Sequence, residues 1–321
     1  MLFSKIIEKK FDAVLGRYDG DPAIHYDSIS DFPKLKSESF DIMGDRNVLL
    51  KGFFYYYDEL NPENLIIFDH GIGAGHNAYL KEIDYLAKNG YTVYAYDHTG
   101  CVLTGGEGIL GFAQGINDLD HVLTALNNDS RFAGMPRKLI GHSWGGYSSM
   151  NVSALHPEVS HIVSLAGFLS ARSLIEQYIP KMFLKYSEEV MERERSHNPK
   201  YADMDARDSL KKSNAKLLHL QSKDDIKVKF ELGTAPLRDA LKDRAQTEFI
   251  VVDNKNHDPQ RTEAASAANT AMLGELDSMR KKKQLETKVQ CDEFKSSHNW
   301  DLITQQDPEI WNRILKFLKT N

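Results

Sequence analysis

Six short segments of the chain are almost continuously apolar, and longer amphipathic segments lie between them. The apolar segments are residues 64–70, 92–97, 137–143, 161–167, 216–222 and 248–254. Strands that are buried on both faces of a parallel sheet have this pattern. Apolar residues at helical spacing predict helices over residues 77–89, 111–128, 145–155, 232–246, 262–282 and 308–319. The alternation predicts an α/β fold with a mostly parallel sheet that helices cover on both sides.

The N-terminal part of the chain departs from this alternation. Residues 37–59 read as two strands around Gly44 and Asp45, which predicts an antiparallel hairpin at the edge of the sheet. Before it, roughly the first 25 residues predict a helix followed by a loop. The hairpin and the sheet that it borders are expected to form one core, whose first part comprises residues 1–168.

A second departure is the segment of residues 169–213, which has no strand pattern. Connections of this length are usually functional, so we expect a small helical cap over the carboxyl edge of the sheet. The alternative is an ordinary crossover helix with a long loop. Apolar side chains recur at helical spacing in this cap, and we expect part of this stripe to line the acyl pocket and the rest to pack on the core: Ile175, Tyr178, Ile179, Met182, Phe183 and Tyr186. Residues 214–321 then complete the core.

Charge and composition exclude some classes of protein. The formal net charge is −6 and the pI is near 6.1, which argues against nucleic acid as the main partner. The basic run at residues 280–284 reads as a solvated helix face. The two cysteines, Cys101 and Cys291, lie far apart in the sequence, which favours reduced thiols over a disulfide.

The apolar segments are also too short for a membrane protein. No segment reaches the roughly 18 uncharged apolar residues of a membrane helix, and residues 1–16 lack the pattern of a signal peptide. We therefore expect a cytoplasmic protein without stable membrane insertion. Homo-oligomerisation is left open.

A serine between glycines follows the third apolar segment, in Gly141-His142-Ser143-Trp144-Gly145. A serine hydroxyl is a poor nucleophile unless it is aimed at the substrate and deprotonated as it attacks. A sharp strand-to-helix turn aims it, and flanking glycines relieve the crowding of such a turn. The start of a helix also favours developing negative charge. The pattern therefore indicates that Ser143 is a nucleophile, with a serine in an ordinary Gly-rich turn as the alternative.

An acyl group under attack needs hydrogen-bond donors for its oxyanion. The N–H of Trp144 follows the nucleophile directly, and the loop after the first apolar segment can supply a second donor. That loop is rich in glycine, and Ile72 is the residue that we expect to donate. A phosphate-binding loop is the alternative, although the sequence lacks the lysine and the glycine spacing of one.

The general base and the acid that orients it are expected in later loops. His257 follows the last predicted sheet strand, and His298 is the rival histidine nearer the C-terminus. Asp224 and Asp225 follow the preceding strand, and we favour Asp225 as the acid that fixes the imidazole tautomer. The other aspartate would cap the following helix.

The order Ser143, Asp225, His257 resembles that of the α/β-hydrolase superfamily. The segments "HGIG", "YDHTGCVLTGGE", "GHSWGG", "SKDDIKV" and "NKNHDP" stand where its oxyanion loop, second βα loop, nucleophile elbow, acid loop and histidine loop would be. The chain looks most like intracellular esterases and serine-peptidase-like or acylglycerol-lipase-like members with small helical caps. It departs from them at Asn256, where many have glycine, and in the 64 residues that follow His257.

The resemblance implies a serine hydrolase that acts on a small-molecule acyl substrate without a metal or an organic cofactor. A carboxylesterase that works through an acyl-enzyme intermediate is the leading hypothesis. An amino- or acylaminoacyl-peptidase and a thioesterase are the alternatives among enzymes. A non-catalytic binding protein that keeps the fold is the alternative of another class.

Overall fold

Eight strands form one mixed sheet in the computed structural model, which describes Phe11 and residues 14–320. The ten strands of the described residues are β1 Lys36–Ser39, β2 Ile42–Met43, β3 Leu49–Leu50, β4 Gly52–Tyr56, β5 Leu65–Asp69, β6 Thr92–Tyr96, β7 Arg137–His142, β8 Val159–Leu165, β9 Lys216–Ser222 and β10 Thr247–Val252. The sheet order is β1-β4-β6-β5-β7-β8-β9-β10, and β2 pairs separately with β3. All neighbours from β6 to β10 are parallel, whereas β4 is antiparallel to both β1 and β6.

Helices cover both faces of this sheet. The α-helices are α1 Leu80–Lys88, α2 Gln114–Asn128, α3 Trp144–Val152, α4 Ala171–Tyr178, α5 Ser187–His197, α6 Ala206–Lys212, α7 Thr234–Ala240, α8 Glu263–Lys281, α9 Lys288–Ser296, α10 Trp300–Ile303 and α11 Pro308–Leu318. The predicted α/β fold is confirmed, including the antiparallel hairpin at the sheet edge. The hairpin is split, because its tip forms the small β2–β3 ladder. The predicted N-terminal helix falls largely on residues outside the described part.

The core forms two layers because successive side chains of a strand point to opposite faces. In the central strand β5, Leu65 and Ile67 belong to the layer under α2 and α3, and Ile66 and Phe68 belong to the layer under α1 and α11. All four side chains are fully buried. The continuous apolar segment therefore marks a strand that is covered on both sides, as the sequence predicts.

The cap (residues 169–213) consists of α4, a 3-10 helix over Lys181–Tyr186, α5 and α6. The apolar residues that stand at helical spacing in the sequence do not lie on one continuous helix. Helix α4 ends at Tyr178, and Ile179 is extended, because a residue before proline is driven out of the helical region by Pro180. Because α4 ends here, the residues after Pro180 no longer face the same way as the apolar residues of α4. Met182 is 77% exposed, whereas Ile179 is buried.

Most of the long segment after His257 forms a helical unit, residues 262–305, which we call the C-terminal insert. Helices α8, α9 and α10 lie within it, and α11 follows as the predicted closing helix. Arg261 and Gln306 form an antiparallel bridge at its base. Among the described residues, no helix is long and apolar enough to cross a membrane.

Buried histidines make the free energy of unfolding depend on pH, and His219 offers a clean test. Burial lowers the pKa of His219 to about 4, from an ordinary value of 6.5. Its contribution to stability is complete above pH 6.5 and is lost as the pH falls towards 4, because only the unfolded chain binds the proton in that range. We expect His219→Gln to lose stability relative to wild type at pH 7, and the difference to shrink by on the order of 3 kcal/mol by pH 4. Urea unfolding at several pH values measures this, and a difference that does not change with pH would contradict it.

Candidate active site

Ser143 lies between β7 and α3 in a strained backbone conformation. Its φ is 54° and its ψ is −108°, a region that non-glycine residues rarely adopt. The Ser143 N–H donates to the Leu165 carbonyl at 2.7 Å, and the Ser143 carbonyl accepts from the Tyr147 N–H at 3.0 Å. The surrounding structure therefore holds this turn in place at the start of a helix.

The glycines on either side of the turn are required by close backbone approach. A Cβ atom on Gly141 would lie 2.2 Å from the backbone of Gly145. A Cβ atom on Gly145 would lie 2.0 Å from the Asp69 carbonyl oxygen, in the neighbouring strand. Neither contact can be relieved by moving a flexible side chain, which gives the physical reason for the glycine spacing around Ser143.

The structure brings His257 and Asp225 together. The Nδ1 atom of His257 lies 2.8 Å from Oδ2 of Asp225, and both side chains are buried. Asp225 Oδ1 also accepts the backbone N–H groups of Lys227 and Val228, at 2.8 and 3.0 Å. Because the carboxylate acts as an acceptor, Nδ1 of His257 is the donor, and Nε2 is left as the basic nitrogen. Ser143 and His257 line the same cavity.

Asp224 holds the histidine loop instead of the imidazole. One of its oxygens accepts the Ser222 hydroxyl, and the other accepts the Asn256 N–H at 3.2 Å. Asn256 has a φ of 46°, and asparagine is one of the few non-glycine residues that adopt this left-handed conformation readily. This explains an asparagine at a position where glycine is common.

The rival histidine belongs to the C-terminal insert. His298 Nδ1 donates to the Phe294 carbonyl at 2.8 Å, and its ring lies beside those of Phe294 and Trp300. Its Nε2 is 3.5 Å from Glu275. The structure thus gives His298 partners within its own segment and places His257 beside Asp225.

The two aspartates can be separated by matched substitutions. We expect Asp225→Asn to lower kcat by about 10³–10⁴-fold, because an asparagine in that place favours the wrong tautomer of His257. Asp224→Asn changes the same chemical group one residue away and is expected to lower kcat far less. Steady-state hydrolysis of a p-nitrophenyl ester measures both. Equal effects of the two substitutions would show that the orienting acid lies elsewhere.

A hydrogen-bonded chain, absent from the sequence predictions, connects the oxyanion loop to the histidine loop. The Gly71 N–H donates to the Tyr79 hydroxyl oxygen at 3.1 Å, and that hydroxyl lies 2.8 Å from Nδ1 of His142. His142 Nε2 lies 2.9 Å from the carbonyl oxygen of His257. Because that carbonyl only accepts, Nε2 of His142 carries the proton and Nδ1 accepts from Tyr79. Burial and the nearby His257 lower the pKa of His142 to about 4, which keeps this ring neutral.

A buried polar network supports the other side of the oxyanion loop. His98 lies between Asp69 and Asp118, with ring nitrogens 2.5 and 3.1 Å from their carboxylate oxygens. Burial by itself lowers the pKa of His98, but the two carboxylates raise it to about 9. The backbone N–H of His98 donates to Nε2 of the His70 ring. Nδ1 of the same ring donates to the Gly71 carbonyl. This network fixes the backbone next to Ile72.

The two cysteines are free thiols, and both are buried. Burial raises the pKa of Cys101 well above its ordinary value. A buried thiol that resists ionisation is a poor nucleophile.

The cavity that contains Ser143 has a volume of about 870 Å³. Drug-sized ligands occupy pockets of roughly 300–1,000 Å³, so this one accommodates a substantial molecule. Ile72 lines it beside Ser143, and Trp144 begins α3, where amide groups lack acceptors within the helix. Within the described residues, no cluster of three or more histidine, cysteine or acidic side chains has the arrangement of a metal site.

A family model described as serine aminopeptidase, S33, matches residues 61–247. This region covers more than half of the chain and contains Ile72, Ser143 and Asp225, while His257 lies beyond it. The chain belongs to this family. As an S33 hydrolase it is a member of the α/β-hydrolase superfamily, as the order of its motifs predicts.

Proteins that are similar to this S33 hydrolase include esterases and a lipase. The monoglyceride lipase of Saccharomyces cerevisiae is 24% identical over 123 residues, which are 37% of this chain and 38% of the lipase. An esterase of Pyrococcus furiosus has a TM-score of 0.58 at 17% identity, covering 82% of this chain and 98% of the esterase. Acetyl xylan esterase 1 of Thermoanaerobacterium has a TM-score of 0.51 at 17% identity, covering 83% of this chain and 92% of that one. The structural likenesses confirm the fold.

Proposed function

We propose that this S33 hydrolase is a carboxylesterase that forms an acyl-enzyme on Ser143. The observation that carries the proposal is the buried Asp225–His257 pair, at 2.8 Å, beside a strained serine in one cavity. Strain of this kind is retained where it serves a function, because it lowers stability. A binding protein that had lost catalysis would have no need of the strain or of the buried acid.

The proposed reaction begins when Nε2 of His257 takes the proton of the Ser143 hydroxyl. The serine oxygen attacks the carbonyl carbon of the ester, and the N–H groups of Ile72 and Trp144 stabilise the resulting oxyanion. Asp225 stabilises the imidazolium of His257. The imidazolium then protonates the departing alcohol oxygen, and a water molecule, activated by the same histidine, releases the acid from Ser143.

Esters with a large apolar acyl group fit the cavity best. The cap contributes Leu174, Ile179 and Phe183 to its wall, and Phe112 and Phe168 continue that wall on the core side. Apolar walls of this kind select substrates by the surface that they remove from water. The partial similarity to a monoglyceride lipase agrees with an apolar acyl chain.

An aminopeptidase is the second candidate, because the family model carries that description. A free α-ammonium group would need a carboxylate in the cavity, and Asp27 lines it. Hydrolysis of aminoacyl p-nitroanilides at a higher kcat/KM than p-nitrophenyl esters would favour this candidate over the esterase.

A fluorophosphonate probe tests the proposed function. The probe reacts covalently with a serine that a neighbouring base activates. We expect stoichiometric labelling of wild type at Ser143, located by peptide mass spectrometry, and no labelling of the Ser143→Ala variant. An unlabelled wild type would contradict the proposal and favour a binding protein.

The positions of the cap side chains in the structure predict which of them select the acyl group. Phe183 lines the cavity, whereas Met182, one residue earlier, is largely exposed. We expect Phe183→Ala to shift the acyl chain-length preference, changing kcat/KM for individual esters by about 1–3 kcal/mol. Met182→Ala is the matched control and should leave the preference unchanged.

Stability separates this prediction from a purely structural role of the cap. Phe183→Ala should lower Tm less than Leu139→Ala, since Leu139 is fully buried in β7 and such truncations cost about 2–5 kcal/mol. A large loss of stability with an unchanged chain-length profile would show that Phe183 only packs against the core.

A further inference from the structure

The C-terminal insert is a self-contained unit that leaves the fold and returns to it at one point. The Thr262 N–H donates to the Gln305 carbonyl at 3.1 Å, and the Asp307 N–H donates to the Gln260 carbonyl at 2.9 Å. These bonds flank the bridge between Arg261 and Gln306. The last sheet strand and the closing helix α11 are therefore connected without the insert, whose role lies outside the sheet.

The insert has a hydrophobic core of its own. Its buried members, with Ala23 from the N-terminal segment, are Met272, Leu276, Cys291, Phe294 and Ile303. Outside this core, Lys81 of α1 contacts Asp301 at 2.9 Å and the Thr304 hydroxyl at 2.7 Å. The insert is thus packed as a unit and fixed to a helix of the main fold.

One side of this unit forms a wall of the cavity that contains Ser143. The lining residues from the insert are Asn269, Met272, Leu273, Trp300, Ile303 and Thr304. The first three are spaced as one face of α8, and the last three belong to α10 and its end. Two separate helical units, the cap and the insert, therefore form walls of the cavity, and N-terminal residues that include Ile24 and Asp27 complete its lining.

The two walls differ in polarity. The cap wall is apolar, whereas the insert wall combines apolar side chains with Asn269 and Thr304. Asp258 and Arg261, which lead from His257 into the insert, line the same region. Asn269 donates to Asp258 at 3.2 Å, and the Arg261 side chain, whose guanidinium group can only donate hydrogen bonds, is 12% exposed. The insert wall, together with Arg261 at its base, can therefore contact an apolar surface and an oxygen acceptor.

We propose that the C-terminal insert binds the leaving group and that the cap binds the acyl group, an assignment that rests on the proposed esterase function. His257 protonates the departing alcohol oxygen, so the alcohol lies on the histidine side of Ser143. The chain runs from His257 through Asp258 and Arg261 directly into the insert. The leaving group that this wall fits is a sizeable alcohol that carries an oxygen besides the one in the scissile bond.

Separate rates of acylation and deacylation test the assignment. Esters of one acid with different alcohols share the same acyl-enzyme, so only acylation senses the alcohol. Leu273→Trp, which fills the cavity from the half-buried face of α8, is expected to lower kcat/KM for naphthyl esters at least about tenfold relative to methyl esters. The deacylation rate of the common acyl-enzyme, measured after a p-nitrophenol burst, should stay unchanged.

Two comparisons complete the experiment. Leu276→Ala, on the same helix but in the core of the insert, should lower Tm without changing the preference among alcohols. For wild type, 2-methoxyethyl esters should be cleaved faster than butyl esters of equal length, after correction for their rates of alkaline hydrolysis, because only the former offer an oxygen to Arg261.

The outcomes distinguish this assignment from the proposed function. If Leu273→Trp alters the acyl chain-length preference or the deacylation rate and not the alcohol preference, the assignment is overturned and the esterase stands. Equal rates for butyl and 2-methoxyethyl esters would overturn the proposed oxygen contact. A wild-type protein that hydrolyses no ester overturns the proposed function, and the assignment with it.

Discussion

Ser143→Ala is expected to lower the turnover of a p-nitrophenyl ester by about 10⁶-fold, because the attacking oxygen is lost. The backbone bonds that hold the turn, from Ser143 N–H to Leu165 and from Tyr147 N–H to Ser143, do not involve the side chain. The variant should therefore keep the circular dichroism spectrum and the Tm of wild type. Residual activity within about tenfold of wild type would contradict the assignment of the nucleophile.

A second serine on the same helix provides the control. Ser153 follows the last residue of α3, and its hydroxyl donates to the Met150 carbonyl at 2.9 Å. Ser153→Ala removes the same atom from the other end of the helix. We expect it to retain activity, so that loss of turnover in Ser143→Ala reports the chemistry of the elbow.

His257→Ala is expected to be nearly as damaging as Ser143→Ala, because groups that act as one relay fail together. His298→Ala is the matched control, since His298 bonds to Phe294 within the insert. The measurement is kcat/KM of both variants on the same ester. A severe loss in His298→Ala with a mild loss in His257→Ala would place the base in the C-terminal insert.

Much of the fold follows from local pattern. The six apolar segments became strands because burial on both faces of a sheet leaves a signature within the strand itself. Helices α1, α2 and α11 are likewise amphipathic along their own length, whereas α3 is buried at every position. The bounds shifted by a few residues where capping or a 3-10 turn decided the end, as at Tyr79 before α1.

The cap was predicted less well, because one residue overrode the spacing. Pro180 ends α4 and displaces every later position of the apolar pattern. Met182 consequently lies in solvent, and Phe183 lies against the cavity. Helical spacing alone does not reveal the end of α4, because the spacing of apolar residues takes no account of the backbone restriction that Pro180 places on Ile179.

In the candidate site, too, some residues could be predicted from local sequence pattern and others depend on tertiary packing. Ser143, Asp225 and His257 could be selected from sequence because each follows a strand, and the carboxyl ends of parallel strands meet at one edge. Tyr79 carries no such signal, since its contact with His142 arises only when α1 packs beside the elbow. The wall formed by the insert depends on how a segment with its own core folds back over the sheet, which no local pattern encodes.

Rapid mixing of the enzyme with a p-nitrophenyl ester tests the proposed nucleophile, because it observes the acyl-enzyme itself. We expect a burst of p-nitrophenol equal to the concentration of active sites, followed by slower steady release. After an acid quench, mass spectrometry should find the acyl group on the peptide that contains Ser143. Turnover with no covalent adduct on Ser143 under conditions that trap the intermediate, or an adduct on a different residue, would show that Ser143 is not the nucleophile.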